Sequence, residues 1–301
     1  MRHDRLSKAA VNGTQLGYLV VGKGIPCLVV HGGLGVDHTQ FREWLDPLDD
    51  VLRLAYYDHR GNGRSGRPAL EITLDQLIAD AEGLRHHLGF ERVAVLGHSV
   101  GGCLALEYAL RYPERVSHLL LVGTTAAWDY LQELAAELGR RDPGPEVIDA
   151  FFAEPATDAE LAAQQLRLAP LGFHRHPTEL AARLFRRTRW SVAGWARGRE
   201  TLFSFDRVSS LGDVSVPTLI LTGRHDFFCP PAQAERLHRG IRGSELVIFA
   251  ESGHYPFAEE PVAFRRAVRR WLAHPGSHSL FTQSSARGAA RPDRARAIES
   301  P

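Results

Sequence analysis

The run Gly-His-Ser-Val-Gly at residues 97–101 constrains the fold of this chain more than any other feature. It directly follows an apolar run, residues 93–96, and directly precedes a helical pattern that begins with small residues. In that context G-x-S-x-G forms a tight strand-to-helix turn, because the two glycines let the backbone segments approach closely. The turn lifts Ser99 above the sheet, where the helix N-terminus adds positive potential for a forming oxyanion. The motif predicts a nucleophilic serine, and a serine that only caps the helix is the alternative.

The rest of the chain alternates short β-branched runs with amphipathic stretches. This is the βαβ rhythm of a mostly parallel sheet flanked by helices, an α/β fold. The apolar runs predict buried strands at residues 27–30, 52–57, 93–96, 119–122, 218–221 and 246–249. A hairpin is predicted over residues 9–21, with Asn12-Gly13 at its turn. Helical patterning covers residues 74–88, 103–111, 231–239 and 261–271.

The strand pattern is interrupted by a long segment rich in Ala, Leu, Glu and Arg. This segment predicts a helical cap, residues 126–205, inserted into a core of residues 1–125 and 206–273. Residues 274–301 are rich in Ser, Arg, Ala and Pro without apolar periodicity, which predicts a disordered tail.

Composition narrows the range of partners. Lys plus Arg total 36 and Asp plus Glu total 35, so no global positive field exists to hold nucleic acid or an anionic membrane. The N-terminal residues lack the apolar stretch of a signal peptide, and no run is long enough to span a membrane. Cys27, Cys103 and Cys229 are far apart and form no C-x-x-C pair, which indicates a reduced, cytoplasmic protein without a zinc site. We expect a small-molecule substrate, and the sequence leaves open a monomer or a homo-oligomer.

Two later loops supply the partners that a nucleophilic serine needs. A serine hydroxyl attacks only when a base takes its proton, and a carboxylate must orient that base. Asp226 follows the apolar run that ends at Leu221, and His254 follows the run that ends at Phe249. Ser, Asp and His in this order, each after a strand, predict a triad of Ser99, Asp226 and His254.

The nearest rivals for these roles are His98, His225 and Glu251. His98 precedes the nucleophile and is predicted to pack or hydrogen-bond away from it. His225 could exchange roles within its loop only if that loop ran differently. The triad assignment therefore stands above these alternatives.

A glycine-rich loop, His31 to Gly35, follows an earlier predicted strand, where the second oxyanion donor is expected. We assign the donors to the Val100 N–H and to the N–H of Leu34 or Gly33. The alternative is a tight glycine-rich turn that takes no part in catalysis. A phosphate-binding loop is disfavoured because the chain has neither G-x-G-x-x-G nor a following Lys here.

A second polar loop, residues 58–65, also follows a predicted strand. The triad leaves no catalytic step for it, so it is predicted to be structural. Asp58 and Arg60 are expected to hydrogen-bond to loop backbone, with substrate contact as the alternative.

Together these loops resemble the α/β-hydrolase superfamily, and in detail its proline-iminopeptidase-like branch. The similarity covers about residues 10–273. It implies an eight-stranded sheet, Ser99, Asp226 and His254 as the triad, and a helical cap over the pocket. It implies no metal and no organic cofactor.

The chain departs from the true prolyl aminopeptidases that it resembles. Those enzymes usually show HGGPG, GGSWG and cap glutamates that hold a free amine, whereas this chain has Leu34 for the proline and Val100 for the tryptophan. Glu200 alone is left as an amine anchor. We therefore expect hydrolysis of an ester, lactone or amide, with prolyl aminopeptidase activity as the alternative. C–C bond hydrolysis, perhydrolysis and a ligand receptor on the same scaffold are further alternatives.

The cap supplies candidates for the substrate pocket. Trp190, Trp195 and Phe152 are assigned to it, although aromatic residues at such spacing usually pack the cap's own core. The arginines at 183, 186, 187 and 189 are expected to form a solvated helix face, with carboxylate binding as the alternative.

Overall fold

Eight strands form one sheet in this computed structural model, which describes residues 6–67 and 72–274 and, for residues 200–202, the backbone alone. The strands are β1 (Ser7–Val11), β2 (Thr14–Val21), β3 (Ile25–Val30), β4 (Leu52–Tyr57), β5 (Val93–His98), β6 (Val116–Val122), β7 (Thr218–Gly223) and β8 (Glu245–Phe249). Their spatial order is β1-β2-β4-β3-β5-β6-β7-β8. β2 runs antiparallel to both of its neighbours, and the remaining pairs are parallel. The predicted α/β fold is confirmed.

The predicted strands are present, and several extend beyond the apolar runs that indicated them. β6, for example, begins at Val116 and so includes the half-buried Ser117 and His118. The predicted hairpin is β1 and β2, which pair from Val11 opposite Thr14. Its turn residues have φ values of +44° and +73°, as a two-residue turn of type I′ requires.

Helices flank the sheet and fill the segment between β6 and β7. They are α1 (Thr39–Leu45), α2 (Leu74–His87), α3 (Val100–Arg111), α4 (Leu131–Arg141), α5 (Pro145–Phe152), α6 (Asp158–Arg167), α7 (Ala169–Gly172), α8 (Pro177–Phe185), α9 (Val192–Phe203), α10 (Pro231–Gly240), α11 (Pro256–Glu259) and α12 (Pro261–Ala273). α2 begins with a capping box, because the Gln76 N–H donates to Thr73 Oγ1 and the Thr73 N–H donates to Gln76 Oε1. The four predicted helices are present. The short helices α1 and α11 were not predicted, since seven and four residues carry little periodicity.

The sheet separates two apolar layers. Along β3, Leu28 and Val30 belong to one buried cluster, whereas Cys27 and Val29 belong to the other. Both faces of the central strands are therefore covered, as in other parallel sheets. The strands' carboxyl ends consequently meet at one edge, where loops from β3, β5, β7 and β8 carry the predicted site.

Helices α4 to α9 form the segment that sequence analysis assigned to a cap. Within the described part of that segment, extended pairing is limited to an isolated bridge between Ala127 and Asp206 at its base. A small cluster of buried residues packs Leu134 and Leu138 of α4 against Phe227, next to Asp226. The exact domain limits stay a prediction, and residues 275–301, predicted as a tail, lie outside the described residues. Over residues 6–67 and 72–274, no helix combines the length and the apolar content that crossing a bilayer requires.

Candidate active site

Ser99 occupies the sharp turn between β5 and α3. Its φ of +55° and ψ of −125° lie in a region that residues with a side chain rarely adopt. The turn is tight: a Cβ on Gly97 would lie 2.1 Å from the Gly101 oxygen, and one on Gly101 would lie 2.2 Å from the Val30 oxygen. The Ser99 N–H donates to the Val122 oxygen (2.9 Å), which holds the turn against β6. This strained conformation leaves the half-buried Ser99 at the carboxyl edge of the sheet.

His254 and Asp226 form a buried pair on the loops after β8 and β7. Nδ1 of His254 lies 3.0 Å from Oδ1 and 2.9 Å from Oδ2 of Asp226. The Cys229 N–H also donates to Asp226 Oδ1 (2.8 Å), which fixes the carboxylate. Because a carboxylate accepts, Nδ1 carries the proton and Nε2 is left as the basic nitrogen. The pair can therefore orient a general base and stabilise its charged form.

One cavity of about 670 Å³ joins the predicted catalytic groups. Ser99 and His254 line it together with Gly33, Leu34 and Val100, the predicted oxyanion residues. Val100 is the first residue of α3, and the first N–H groups of a helix have no acceptor within it. The structure thus brings the predicted nucleophile, base and oxyanion donors to the same space.

The loop after β4 supports the oxyanion loop. Asn62 Oδ1 accepts a hydrogen bond from the Gly35 N–H (2.5 Å), and Asn62 Nδ2 donates to the Arg60 oxygen (2.9 Å). Sequence analysis missed this contact, because the two residues belong to different loops. The loop of residues 58–65 therefore takes part in shaping the site without touching the triad.

Asp58 and Arg60 act within the same structural loop, in different ways. Asp58 accepts from the backbone N–H groups of His38 (3.0 Å) and Arg64 (2.7 Å), as expected. Burial favours a raised pKa for Asp58, but hydrogen bonds and the charge of His38 outweigh it and lower that pKa to about 2. Arg60 departs from the expectation: its main partner is the carboxylate of Asp80 on α2, at 2.6 Å from both Nε and Nη2.

The three rivals of the triad residues lie elsewhere. Nε2–H of His98 donates to the His254 oxygen (2.9 Å), and burial keeps the pKa of His98 well below its ordinary value. His225 stacks on His174 with ring centroids 3.5 Å apart, and Glu251 pairs with Arg175. Each of these residues therefore supports the loops around the catalytic pair.

The predicted pocket residues divide into two groups. Trp195 and Phe152 line the cavity. Trp190 is not among its described lining residues and packs against Phe185 in the hydrophobic core, with ring centroids 5.3 Å apart. Hydrogen bonds from the backbone on either side hold Trp190 there. The Arg189 N–H donates to the Asp37 carboxylate, and the Ser191 N–H donates to the Gly35 carbonyl oxygen. These tertiary contacts left no trace in the local sequence.

Charged side chains of the cap are arranged differently from the expectation for an amine site. The Glu200 side chain lies outside the described residues. Arg199, which was not predicted, lines the cavity, pairs with Glu154 (2.7 Å) and lies over the Trp195 ring. Arg183 pairs with Glu43 and lies over Trp44, away from the cavity.

Cavity residues next to the catalytic pair were also missed. Phe228 and Tyr255 line the cavity, and the ring of each contacts His254, with centroids 5.3 and 5.1 Å apart. Their positions beside Asp226 and His254 were an available signal. Gln40 and Gln164, which also line the cavity, carried no such signal.

Known proteins share this architecture. A proline iminopeptidase of Pestalotiopsis fici is 28% identical over 278 residues, covering 87% of this chain and 97% of its own. An esterase of Thermogutta terrifontis superimposes with a TM-score of 0.73 at 27% identity, covering 90% of this chain and 98% of its own. An enol-lactonase of Burkholderia xenovorans gives a TM-score of 0.74 at 25% identity, covering 89% of this chain and 100% of its own.

The predicted resemblance is confirmed by these relatives and by the family profile. The profile described as alpha/beta hydrolase fold matches residues 26–261, most of the chain. With the strand order and the serine turn already described, this match leads to one conclusion: the chain belongs to the α/β-hydrolase family.

Proposed function

We propose that this protein is a serine hydrolase that cleaves an ester, lactone or amide bond of a small molecule through an acyl-enzyme on Ser99. The observation that carries the proposal is the buried Asp226–His254 pair, whose imidazole lines the same cavity as Ser99. A carboxylate, an imidazole and a serine on a strained turn are the parts that acyl transfer needs.

The reaction begins with proton transfer from Ser99 Oγ to His254 Nε2. Oγ forms a bond to the substrate carbonyl carbon, and the carbonyl oxygen becomes an oxyanion. The Val100 N–H and an N–H of Leu34 or Gly33 stabilise that charge. Asp226 keeps the Nδ1 proton in place and stabilises the imidazolium without taking the proton.

Collapse of this intermediate expels the leaving group, which takes the proton from His254 Nε2. The acyl group then remains on Ser99 as an ester. Water attacks that ester with His254 as base, and a second collapse returns the proton to Ser99 and releases the acid. The cycle uses these side chains, the two backbone N–H groups and water.

Prolyl aminopeptidase activity is the second candidate, and the Pestalotiopsis fici relative favours it. The cavity favours the first, because the described residues that line it include no carboxylate to meet a substrate ammonium. Among the described lining residues, an amine-bearing substrate would therefore meet no counter-charge.

The test compares a short-chain p-nitrophenyl ester with a prolyl p-nitroanilide, using purified protein. We expect ester turnover that falls by roughly 10⁴-fold or more in Ser99→Ala. Faster turnover of the anilide would favour the aminopeptidase. Equal ester turnover by Ser99→Ala and parent protein would refute the proposal, and product analysis would reveal C–C cleavage or perhydrolysis.

A further inference from the structure

Two buried glutamines stand in the mainly apolar wall of the cavity. Gln40 lies on α1 and Gln164 on α6, and their side chains are 3% and 7% exposed. Most of the surrounding wall is aliphatic or aromatic, including Leu34, Val36 and Phe151. A buried amide is costly in such surroundings unless each of its polar atoms has a partner.

Gln164 satisfies one end of its amide and leaves the other unpaired. Nε2 donates to the backbone oxygens of Ala150 (2.9 Å) and Ala153 (2.8 Å), where α5 ends. Since both partners can only accept, the nitrogen must face them, and the orientation of the amide is determined. Oε1 is buried without a hydrogen-bond partner among the described residues. An acceptor without a partner is therefore held within this wall.

Gln40, on α1, offers a second unpaired group in the lining of the cavity. Its Nε2 is buried and has no hydrogen-bond partner in residues 6–67 and 72–274. The terminal torsion of a glutamine is soft, so a small rotation turns this amide toward a bound molecule. Unlike Gln164, it supports no helix end.

Charge in the cavity points to an uncharged ligand. Among the described lining residues, the permanently charged side chain is Arg199, which is already paired with Glu154. His98 is kept neutral by burial. An ion of either sign would thus lose its water without gaining an unpaired counter-charge from the described lining residues.

We propose that the substrate is an uncharged, mainly apolar ester or amide that carries a second hydrogen-bonding group, a secondary amide or a hydroxyl, away from the bond that is cleaved. That group donates to Gln164 Oε1, and Gln40 also contacts the substrate. This inference rests on the proposed function, because it assigns the occupant of the same cavity. It makes Gln164 a specificity-determining residue.

The test uses p-nitrophenyl esters of alkanoic acids with an acetamido group at successive positions along the chain. Each ester has an N-methylated counterpart that lacks the donor. At one position of the acetamido group, we expect kcat/KM to be about tenfold higher for the N–H ester than for its N-methyl counterpart. That ratio is the contribution of a single neutral hydrogen bond. Gln164→Met should reduce that preference to about one. Gln165→Met, a half-buried neighbour on the same wall, should keep it.

Several outcomes would overturn the inference. Equal rates for the N–H and N-methyl forms at every position would do so. A loss in Gln164→Met that is the same for both forms would show that Gln164 only supports α5. Gln40→Met, which removes no helix contact, should lower kcat/KM for the preferred ester more than for the plain alkanoate, and an equal effect on both would remove Gln40 from the assignment.

A binding measurement separates this inference from the proposed function. Ser99→Ala is titrated by calorimetry with stable analogues of the same acetamido esters, in which an N-methylamide replaces the ester. Each analogue is used in two forms, one with the acetamido N–H and one with that nitrogen methylated. Absence of ester turnover with tighter binding of the N–H ligand would refute the hydrolase and keep the specificity. Normal ester turnover with equal binding of the N–H and N-methyl ligands would keep the hydrolase and refute the specificity.

Discussion

Glu259 accepts a hydrogen bond from the backbone N–H of Gly253, the residue before His254, at 2.6 Å. Its other oxygen accepts from the N–H groups of His174 (2.7 Å) and Arg175 (3.2 Å), between α7 and α8. One carboxylate therefore ties the loop of the proposed base to the segment above it. Burial raises the pKa of Glu259 to about 7, although these N–H groups favour its charged form.

Glu259→Gln should lower kcat, because an amide has one acceptor oxygen where the carboxylate has two. We expect a fall of about tenfold with a smaller change in KM, since the substituted group lies behind His254. The acid limb of the kcat profile should also become shallower, because the group with a pKa of about 7 is removed. An unchanged limb would show that Glu259 does not act through His254. Glu235→Gln, on the outer side of α10, is the matched control.

The same residue should affect stability in a pH-dependent way. A carboxyl with a pKa raised from 4.5 to about 7 holds its proton more tightly in the folded state. Its contribution to the unfolding free energy is therefore complete below pH 4.5 and is lost as the pH rises through about 7. The stability of the parent protein relative to Glu259→Gln should fall over this interval. Urea unfolding at several pH values measures the difference, and a rise would contradict the assignment.

Asn62→Ala should impair the oxyanion loop. The variant removes the acceptor of the Gly35 N–H, so that the loop carrying Gly33 and Leu34 loses a contact. We expect kcat to fall by about tenfold, the order of one hydrogen bond that positions a catalytic group. Steady-state kinetics on the preferred ester give the value. An unchanged kcat would argue against the loop assignment.

The buried Arg60–Asp80 pair should dominate the stability of the loop after β4. Both side chains are largely buried, and two nitrogens of Arg60 lie 2.6 Å from the carboxylate. Arg60→Met should cost about 3–5 kcal/mol, because it leaves Asp80 buried and unpaired. Arg60→Met combined with Asp80→Leu should cost less than that. Chemical denaturation of the parent, the two single variants and the double variant measures the cycle, and additive costs would contradict a coupled pair.

The sequence predicted those parts of the site whose chemistry is local. Ser99, Asp226 and His254 each follow a strand that its own residues specify, so the order of motifs indicated where they would meet. Trp190 is absent from the described cavity lining because its two neighbours in sequence bond to Asp37 and Gly35, both distant along the chain. The same reason applies to the cavity glutamines: a polar residue on a helix has a function only once the opposite wall is known. Tertiary contacts therefore set the limit of what could be predicted.

Two hydrogen bonds between the helical insertion and the loops of the site make it a poor candidate for transplantation between relatives. Its backbone meets the oxyanion loop where Ser191 donates to Gly35 (2.9 Å), and it meets the histidine loop where His254 donates to Gly172 (2.7 Å). A foreign insertion that lacked these two contacts would disturb the catalytic groups while changing the specificity. Engineering by exchange therefore has to treat the insertion and both loops as one inherited unit.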